Sequence, residues 1–353
     1  MNLPRIAITM GDPSGVGPET IVGAWTDPTI HANCRAMVVG HPEVLRRAVR
    51  LLQKPVEVVE ISSPDEVRST PDVIPCLPGC REDAAEVPPG VIDPRGGQAA
   101  YDALLCAAEL AKSKQVEAIT TAPLNKAALW RAGHHYPGHT ELLAELCGIR
   151  DFAMMLYLSH GPNILGRNGL AVVHVTLHMA LRDVFANLSV EAILAKSRMA
   201  DQIMRRLIVA TKKDVPNQMT PAAPRIGVCA LNPHAGEEGL FGDEEERIIR
   251  PAVELGRKEG LLLEGPLPTD SLLVRARDGH FDAVVAMYHD QGHIALKLLG
   301  MHRAVNITLG LPIVRTSVAH GTAFDLAWQG RAETSSMIEA IRVAGMLAET
   351  RSS

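Results

Sequence analysis

Residues 281–300 read FDAVVAMYHDQGHIALKLLG. The opening FDAVVAM is apolar and suits a buried strand. It ends in Tyr288-His289-Asp290-Gln291-Gly292-His293, a concentration of proton-handling and metal-ligating side chains at one strand terminus. The arrangement recurs along the chain. RIAIT (5–9) runs into MGDPSGVGPE, AIT (118–120) into TAPLNK, AVVHVTL (171–177) into His178, and RIGVCAL (225–231) into NPHAGEEG. In open α/β sheets, ligands bind beyond the carboxyl ends of strands, where loops carry the chemistry. Repeated polar strand ends therefore predict one shared cleft.

Other segments agree with that class. AMVVG (36–40), PVEVVEI (55–61), FAMMLYLS (152–159) and RAVNITLGLPIVRT (303–316) read as strands. HPEVLRRAVRLL (41–52), GGQAAYDALLCAAELAKSKQ (96–115) and NKAALWRAG (125–133) read as helices. Strands alternating with helices predict an α/β fold with a mostly parallel sheet and helices on both faces. Two Pro- and Gly-rich stretches, 70–97 and 211–224, read as surface connections.

A chain of 353 residues exceeds one small core and implies two domains or lobes. A net charge of -5 and only 3% aromatic residues give neither the basic surface nor the stacking platform that nucleic acid needs. No run of 18 apolar residues spans a membrane, and the amino terminus lacks a signal-peptide pattern. Six scattered cysteines match neither a zinc knuckle nor a C-x-x-C redox motif. These features together predict a cytoplasmic protein with reduced thiols.

Among 14 histidines, His178, His234 and His289 follow strands in matching fashion. Three neutral imidazoles can hold a zinc-like ion with a fourth position open to substrate, and nitrogen ligands favour Zn or Co over Ca. The spacing contains no local ligand motif, and three separately satisfied loop histidines fit it better. His139 stands beside Thr140, a pair able to donate to a substrate oxygen.

Two glycine-rich segments each admit two readings. GDPSGVGPE (11–19) is not a P-loop; it is a tight turn bringing backbone near a ligand, or a strand-to-helix turn with Pro18 and Glu19 opening the helix. HGTAFDLA (320–327) reads as a loop entering a short helix. His320, Gly321 and Thr322 would then offer N–H groups to a pyrophosphate, and Asp325 would accept from a ribose or adenine. The alternative is a plain N-capped helix.

ITMGDPSGVGPE, TAPLNKAAL, YPGHTELLAE, LNPHAGEEGLFGDEE, GPLPTDSL, YHDQGHIALKLLG and VNITLGLPIVRTSVAHGTAFDLA together resemble the 4-hydroxythreonine-4-phosphate dehydrogenase family. The resemblance runs from about residue 5 to residue 340. It implies an isocitrate/isopropylmalate dehydrogenase-like fold with two lobes around a cleft. The cofactor-side lobe would comprise 1–125 plus 300–353, and a metal-binding, dimerising lobe 126–299. It implies a homodimer with the active site at the interface, a divalent metal (Zn, Co, Mg or Mn) on His178, His234 and His289, and NAD or NADP on His320, Gly321, Thr322 and Asp325. Substrate contacts would fall to His139, Thr140, Lys297, Asn306 and Arg315. Lys297, Asp270 or Asp290 would serve as the general base. The implied reaction oxidises a secondary alcohol of a small phosphorylated hydroxy acid, and the product decarboxylates.

One departure bears on substrate. Biosynthetic members commonly read YHDQGLPVLKYLG, whereas this chain has His293 and Ile294 in place of Leu-Pro. That variant resembles the catabolic branch, which acts on D-threonate or D-erythronate 4-phosphate. The alternative is 4-hydroxythreonine-4-phosphate dehydrogenase of pyridoxal phosphate biosynthesis; the substrates differ at C2, hydroxyl against amine. His293 would be the residue placed to read that difference.

Overall fold

The computed structural model describes residues 3–213 and 223–350, so most of the second predicted connection (211–224) lies outside the described residues. Two compact units divide the chain, Met1–Arg150 with Leu311–Ser353, and Asp151–Gly310.

The first unit opens with β1 (Arg5–Thr9), α1 (Gly17–Trp25), α2 (Pro28–Asn33), β2 (Arg35–Gly40), α3 (Pro42–Leu52), β3 (Glu57–Glu60), β4 (Val73–Pro78), α4 (Pro94–Lys112), β5 (Ala118–Thr121), α5 (Lys126–Arg131) and α6 (His139–Leu146). The second unit holds β6 (Ala153–Leu158), β7 (Leu170–His174), α7 (Leu181–Asn187), α8 (Val190–Lys213) and β8 (Arg225–Cys229). It continues with α9 (Arg250–Lys258), β9 (Leu262–Leu267), α10 (Thr269–Arg277), β10 (Ala283–Ala286), α11 (His289–Gly300) and β11 (Val305–Leu309). The chain returns to the first unit with β12 (Val314–Val318) and α12 (Ser335–Glu349).

In the first unit the strand order is β3-β4-β2-β1-β5-β12, with every pair parallel. Successive residues on these strands face opposite sides. Ala7, Met37, Val39 and Ile119 pack with the alanines of α4. Thr120 and Thr316 turn the other way, their hydroxyls 2.9 Å apart, and Thr316 donates to the Ala340 carbonyl of α12 at 2.8 Å. Helices thus cover both faces. Local chemistry starts the helices as the sequence suggests. Asp93 caps α4 by accepting from the Arg95 N–H at 2.8 Å, and Asn125 caps α5 through Ala128 at 3.0 Å. Helix α5 packs on α4, and Leu142 and Leu143 of α6 join the same core, so both helices belong to this unit.

In the second unit the order is β11-β6-β7-β10-β8-β9, parallel except that β6 runs antiparallel to both neighbours. Helix α11 lies on the face of β7 that carries Val172 and His174, and α8 also packs on β7 and β10.

Three expectations change. The 70–97 stretch is not only a connection, since it contains β4, paired on both edges. Its prolines disguise it. Pro75 precedes Cys76, where the β2 ladder begins, and Pro78 lies beyond Cys76, where the β3 ladder ends, so neither missing N–H interrupts a ladder. The single run 303–316 is two strands, broken at Gly310 (φ +86°) and Pro312. The helix expected within HGTAFDLA does not form. Residues 324–330 are turns, with Ala323 (φ +40°) and Trp328 (φ +60°) outside the helical region.

Candidate active site

The glycine-rich loop after β1 is taken up by contacts within the protein. Gly11 has φ +73°, and a Cβ there would overlap the Pro123 carbonyl oxygen. The Asp12 N–H donates to that same oxygen at 3.0 Å, and the Val16 N–H donates to the Thr322 carbonyl at 3.0 Å. Buried Glu19 accepts from the backbone N–H groups of Trp328 and Gly330. Trp328 also donates its indole N–H to the Pro13 carbonyl at 2.9 Å and lies under the Arg47 guanidinium. Of the two readings of 11–19, the close approach is to the 320–330 segment of the chain itself. That segment, with His320, Gly321, Thr322 and Asp325, is thereby held in one conformation. The N-cap of α1, Val16, makes one of these contacts, so the start of α1 lies against the segment.

Sequence reasoning passed over Asp12. It is fully buried, its Oδ1 accepts from the Ser14 N–H at 2.9 Å, and its Oδ2 has no partner among the described residues. Burial, reinforced by the negative charge of Asp93, pushes its carboxyl up to about 6.

Arg315 and His139 are neighbours in this unit. Arg315 is buried on β12 and donates to Thr121 Oγ1 at 2.7 Å. Burial lowers its guanidinium to about 10, which leaves it cationic at neutral pH. His139 begins α6, with Thr140 next. Burial, then the positive charges of Arg315 and Lys126, hold the His139 imidazole well below its ordinary range and therefore neutral. A buried cation beside a neutral imidazole suits an anionic ligand.

The second unit gathers histidines at the ends of β7 and β10. His178 and His289 line a cavity of about 590 Å³ with Leu177, Met179, Tyr288 and Asp290, and their ring centroids are 5.7 Å apart. His289 Nδ1 lies 2.6 Å from Asp290 Oδ1. A carboxylate only accepts, so this bond puts the proton on Nδ1 and the lone pair on Nε2, the state a metal ligand needs. His234 repeats the device, with Nδ1 2.8 Å from Glu237 Oε1. It stands in a left-handed turn: His234, Ala235, Gly236, Glu237 and Glu238 all have positive φ, between 44° and 80°. Buried Glu245 pins the approach to this turn by accepting from the N–H groups of Leu231 and Asn232 at 2.8 and 2.7 Å. Gln291 ties three segments together, bonding the Met287 N–H, the Ala230 carbonyl and Thr269 Oγ1.

His174 is a histidine that sequence reading left inside its strand. It is fully buried at the end of β7, with Nδ1 3.3 Å from the Met154 carbonyl and Nε2 3.1 Å from His293 Nδ1. Burial lowers His174 to about 4 and, with neighbouring imidazoles and Lys297, His293 to about 2, so both are neutral. His293 stacks on His289 with centroids 3.8 Å apart. The i, i+4 spacing is the signal that could have revealed this face, and Lys297 continues it one turn further.

The remaining expected residues scatter. Asp270 is exposed at the start of α10 and accepts from the Ser271 N–H. Asn306 lies half-buried on β11, its Oδ1 without a partner among the described residues. Among the described residues no three His, Cys, Asp or Glu side chains converge as a set able to hold a metal ion. His178 and His289 come together; His234 is held by Glu237 and lies beside Phe241.

A protein-family model described as pyridoxal phosphate biosynthetic protein PdxA matches residues 32–344. The chain belongs to the PdxA family. A PdxA relative from Pectobacterium atrosepticum, named D-threonate 4-phosphate dehydrogenase, is 44% identical over 97% of this chain and 99% of its own length. Another from Trichlorobacter lovleyi, named 4-hydroxythreonine-4-phosphate dehydrogenase, is 45% identical over 99% of this chain and 98% of its own. A crystal structure of 4-hydroxythreonine-4-phosphate dehydrogenase from Klebsiella pneumoniae superposes with a TM-score of 0.81 at 42% identity, covering 98% of this chain and 99% of that one. As a PdxA member with dehydrogenases for relatives, the chain is an oxidoreductase acting on a CH–OH group.

Proposed function

We propose that the chain is a divalent-metal-dependent NAD(P) dehydrogenase. It would oxidise the C3 hydroxyl of D-threonate or D-erythronate 4-phosphate, and the resulting β-keto acid would lose CO₂. The observation that supports this most is the His178–His289 pair facing one cavity, with His289 fixed by Asp290 so that Nε2 keeps its lone pair. His234, whose Nδ1 is held by Glu237 in the same way, would be the third nitrogen of the donor set. Imidazole nitrogens without thiolates fit a Zn- or Co-like ion.

A metal held by His178, His234 and His289 would supply Lewis-acid chemistry to the substrate alcohol, and a nicotinamide would supply the hydride acceptor. The chain supplies the rest. Arg315, His139 and Thr140 are suited to an anionic end of the substrate, and Lys297 and Asn306 would each supply a polar contact. Asp290, Asp270 or Lys297 removes the hydroxyl proton. The segment 320–327 carries the adenosine side of the cofactor.

Two copies of the chain are part of the proposal. Leu181 and Phe185 on α7 and Ile294 and Leu298 on α11 are exposed, Leu298 by 82%. Apolar side chains of this size exposed on two helices suit an interface between subunits. With two imidazoles converging in one chain, a site completed across that interface is consistent.

The second reading, 4-hydroxythreonine 4-phosphate as substrate, keeps every step and changes only C2. Purified protein assayed with each cofactor against four-carbon phosphorylated acids decides. We expect reduction of NAD(P)⁺ and CO₂ release with threonate or erythronate 4-phosphate; a strong preference for the amino substrate reverses the ranking, and no turnover with any of them removes the proposal.

A further inference from the structure

We infer that His293 is a positioning residue for His289 and that, with His174, it forms a hydrogen-bonded imidazole dyad of fixed tautomer. This rests on the reading of His289 as a metal ligand. It goes beyond that reading because neither His174 nor His293 belongs to the proposed ligand set.

The tautomers follow from the partners. A backbone carbonyl only accepts, so the proton of His174 sits on Nδ1, 3.3 Å from the Met154 oxygen. In a neutral ring Nε2 then bears a lone pair. His293 Nδ1, 3.1 Å from that atom, must therefore donate. Both rings are buried, His174 fully, and a neutral pair needs no counter-charge there. Both rings are thus neutral and each has a single allowed orientation.

Packing makes the dyad rigid. His174 fits under α11 only because residue 292 is glycine: a Cβ there would come within 2.7 Å of His174 Nε2 and would overlap Val172. His293 follows, and its ring lies nearly parallel to that of His289, 14° apart in plane at 3.8 Å. His289 is therefore fixed on its face by His293 and at its edge by Asp290. The chain of contacts Met154–His174–His293–His289–Asp290 sets the direction of the His289 Nε2 lone pair.

Leucine at position 293, the residue common in the biosynthetic branch, breaks the chain in two places. It leaves His174 Nε2 as a buried acceptor without a donor, and it withdraws the aromatic face that His289 leans on. The branch difference at 293 then works through the orientation of His289, not through direct contact with the C2 substituent.

The test uses metal-stripped full-length protein titrated with Co²⁺ against a chelator, together with nitrogen NMR of the histidine rings. His293→Leu is expected to bind Co²⁺ about 10- to 100-fold more weakly, the range for loss of an outer-sphere partner, and to shift the Co²⁺ absorption bands. His293→Gln keeps an N–H for His174 but has no ring to stack. It is expected to fold like the parent and still bind Co²⁺ more weakly, which covers the case where the leucine variant does not fold. The parent should show His174 and His293 both protonated on Nδ1. Unchanged affinity in a folded variant, or a different tautomer pair in the parent, overturns the inference. His289→Ala is the separate control. If it alone abolishes binding while the 293 variants match the parent, the positioning role falls and the site stands. If His289→Ala retains the metal, the site reading itself falls.

Discussion

The loop after β1 and the loop after β10 occupy equivalent places in their units, each at the carboxyl end of a parallel strand. They use that place in opposite ways. After β1, glycines let backbone meet backbone, and the N–H groups of Asp12 and Val16 end on carbonyls of other loops. After β10, side chains make the contacts: His289 leans on Asp290 and His293 and lines a cavity. A polar, glycine-rich strand end therefore marks where loops converge; what distinguishes the second loop is a set of imidazoles that hold one another.

The largest effect should come from the second loop. His289→Ala is expected to lower kcat/KM by about 1000-fold, roughly 4 kcal/mol of transition-state stabilisation, with the melting temperature little changed because the side chain is part-exposed. A comparable loss of stability would show that the ring is structural, like the first loop. Gly11→Ala probes the converse. Forcing a Cβ into a left-handed position against the Pro123 carbonyl should cost about 3 kcal/mol in denaturant unfolding, while the variant that still folds binds Co²⁺ as the parent does.

Asp12 gives a smaller effect with a pH signature. Its carboxyl is raised in the folded protein from 3.8 to about 6. The folded state therefore binds the proton more tightly than the unfolded chain. The favourable contribution is complete below about pH 4 and is lost as pH rises through 6. Asp12→Asn should match the parent near pH 4 and become relatively more stable towards pH 7, by at most about 3 kcal/mol. Unfolding measured at both pH values checks this; a difference that does not change with pH would mean the carboxyl titrates normally.

The fold was legible wherever periodicity and β-branched runs were undisturbed. β1, β2, β5 and α4 fall close to where the sequence puts them. Legibility failed where backbone and composition disagree. β4 hides behind Pro75 and Pro78, and the turns of 324–330 depend on Ala323 and Trp328 adopting positive φ, with Trp328 held there by Glu19, Pro13 and Arg47. In the site, His178 and His289 could be found because they interrupt apolar runs at their ends. His174 could not, because its imidazole sits in the middle of LAVVHVTLH and reads as one more strand residue. Its role needs Met154 and His293, residues remote in sequence.

The left-handed turn at His234 sets up a conflict between durability and performance. Four of its five residues carry side chains in a conformation that disfavours them. Ala235→Gly should raise the melting temperature by relieving one of them, and weaken Co²⁺ binding by letting the imidazole wander. A hardier protein at this turn would therefore hold the His234 ring less firmly.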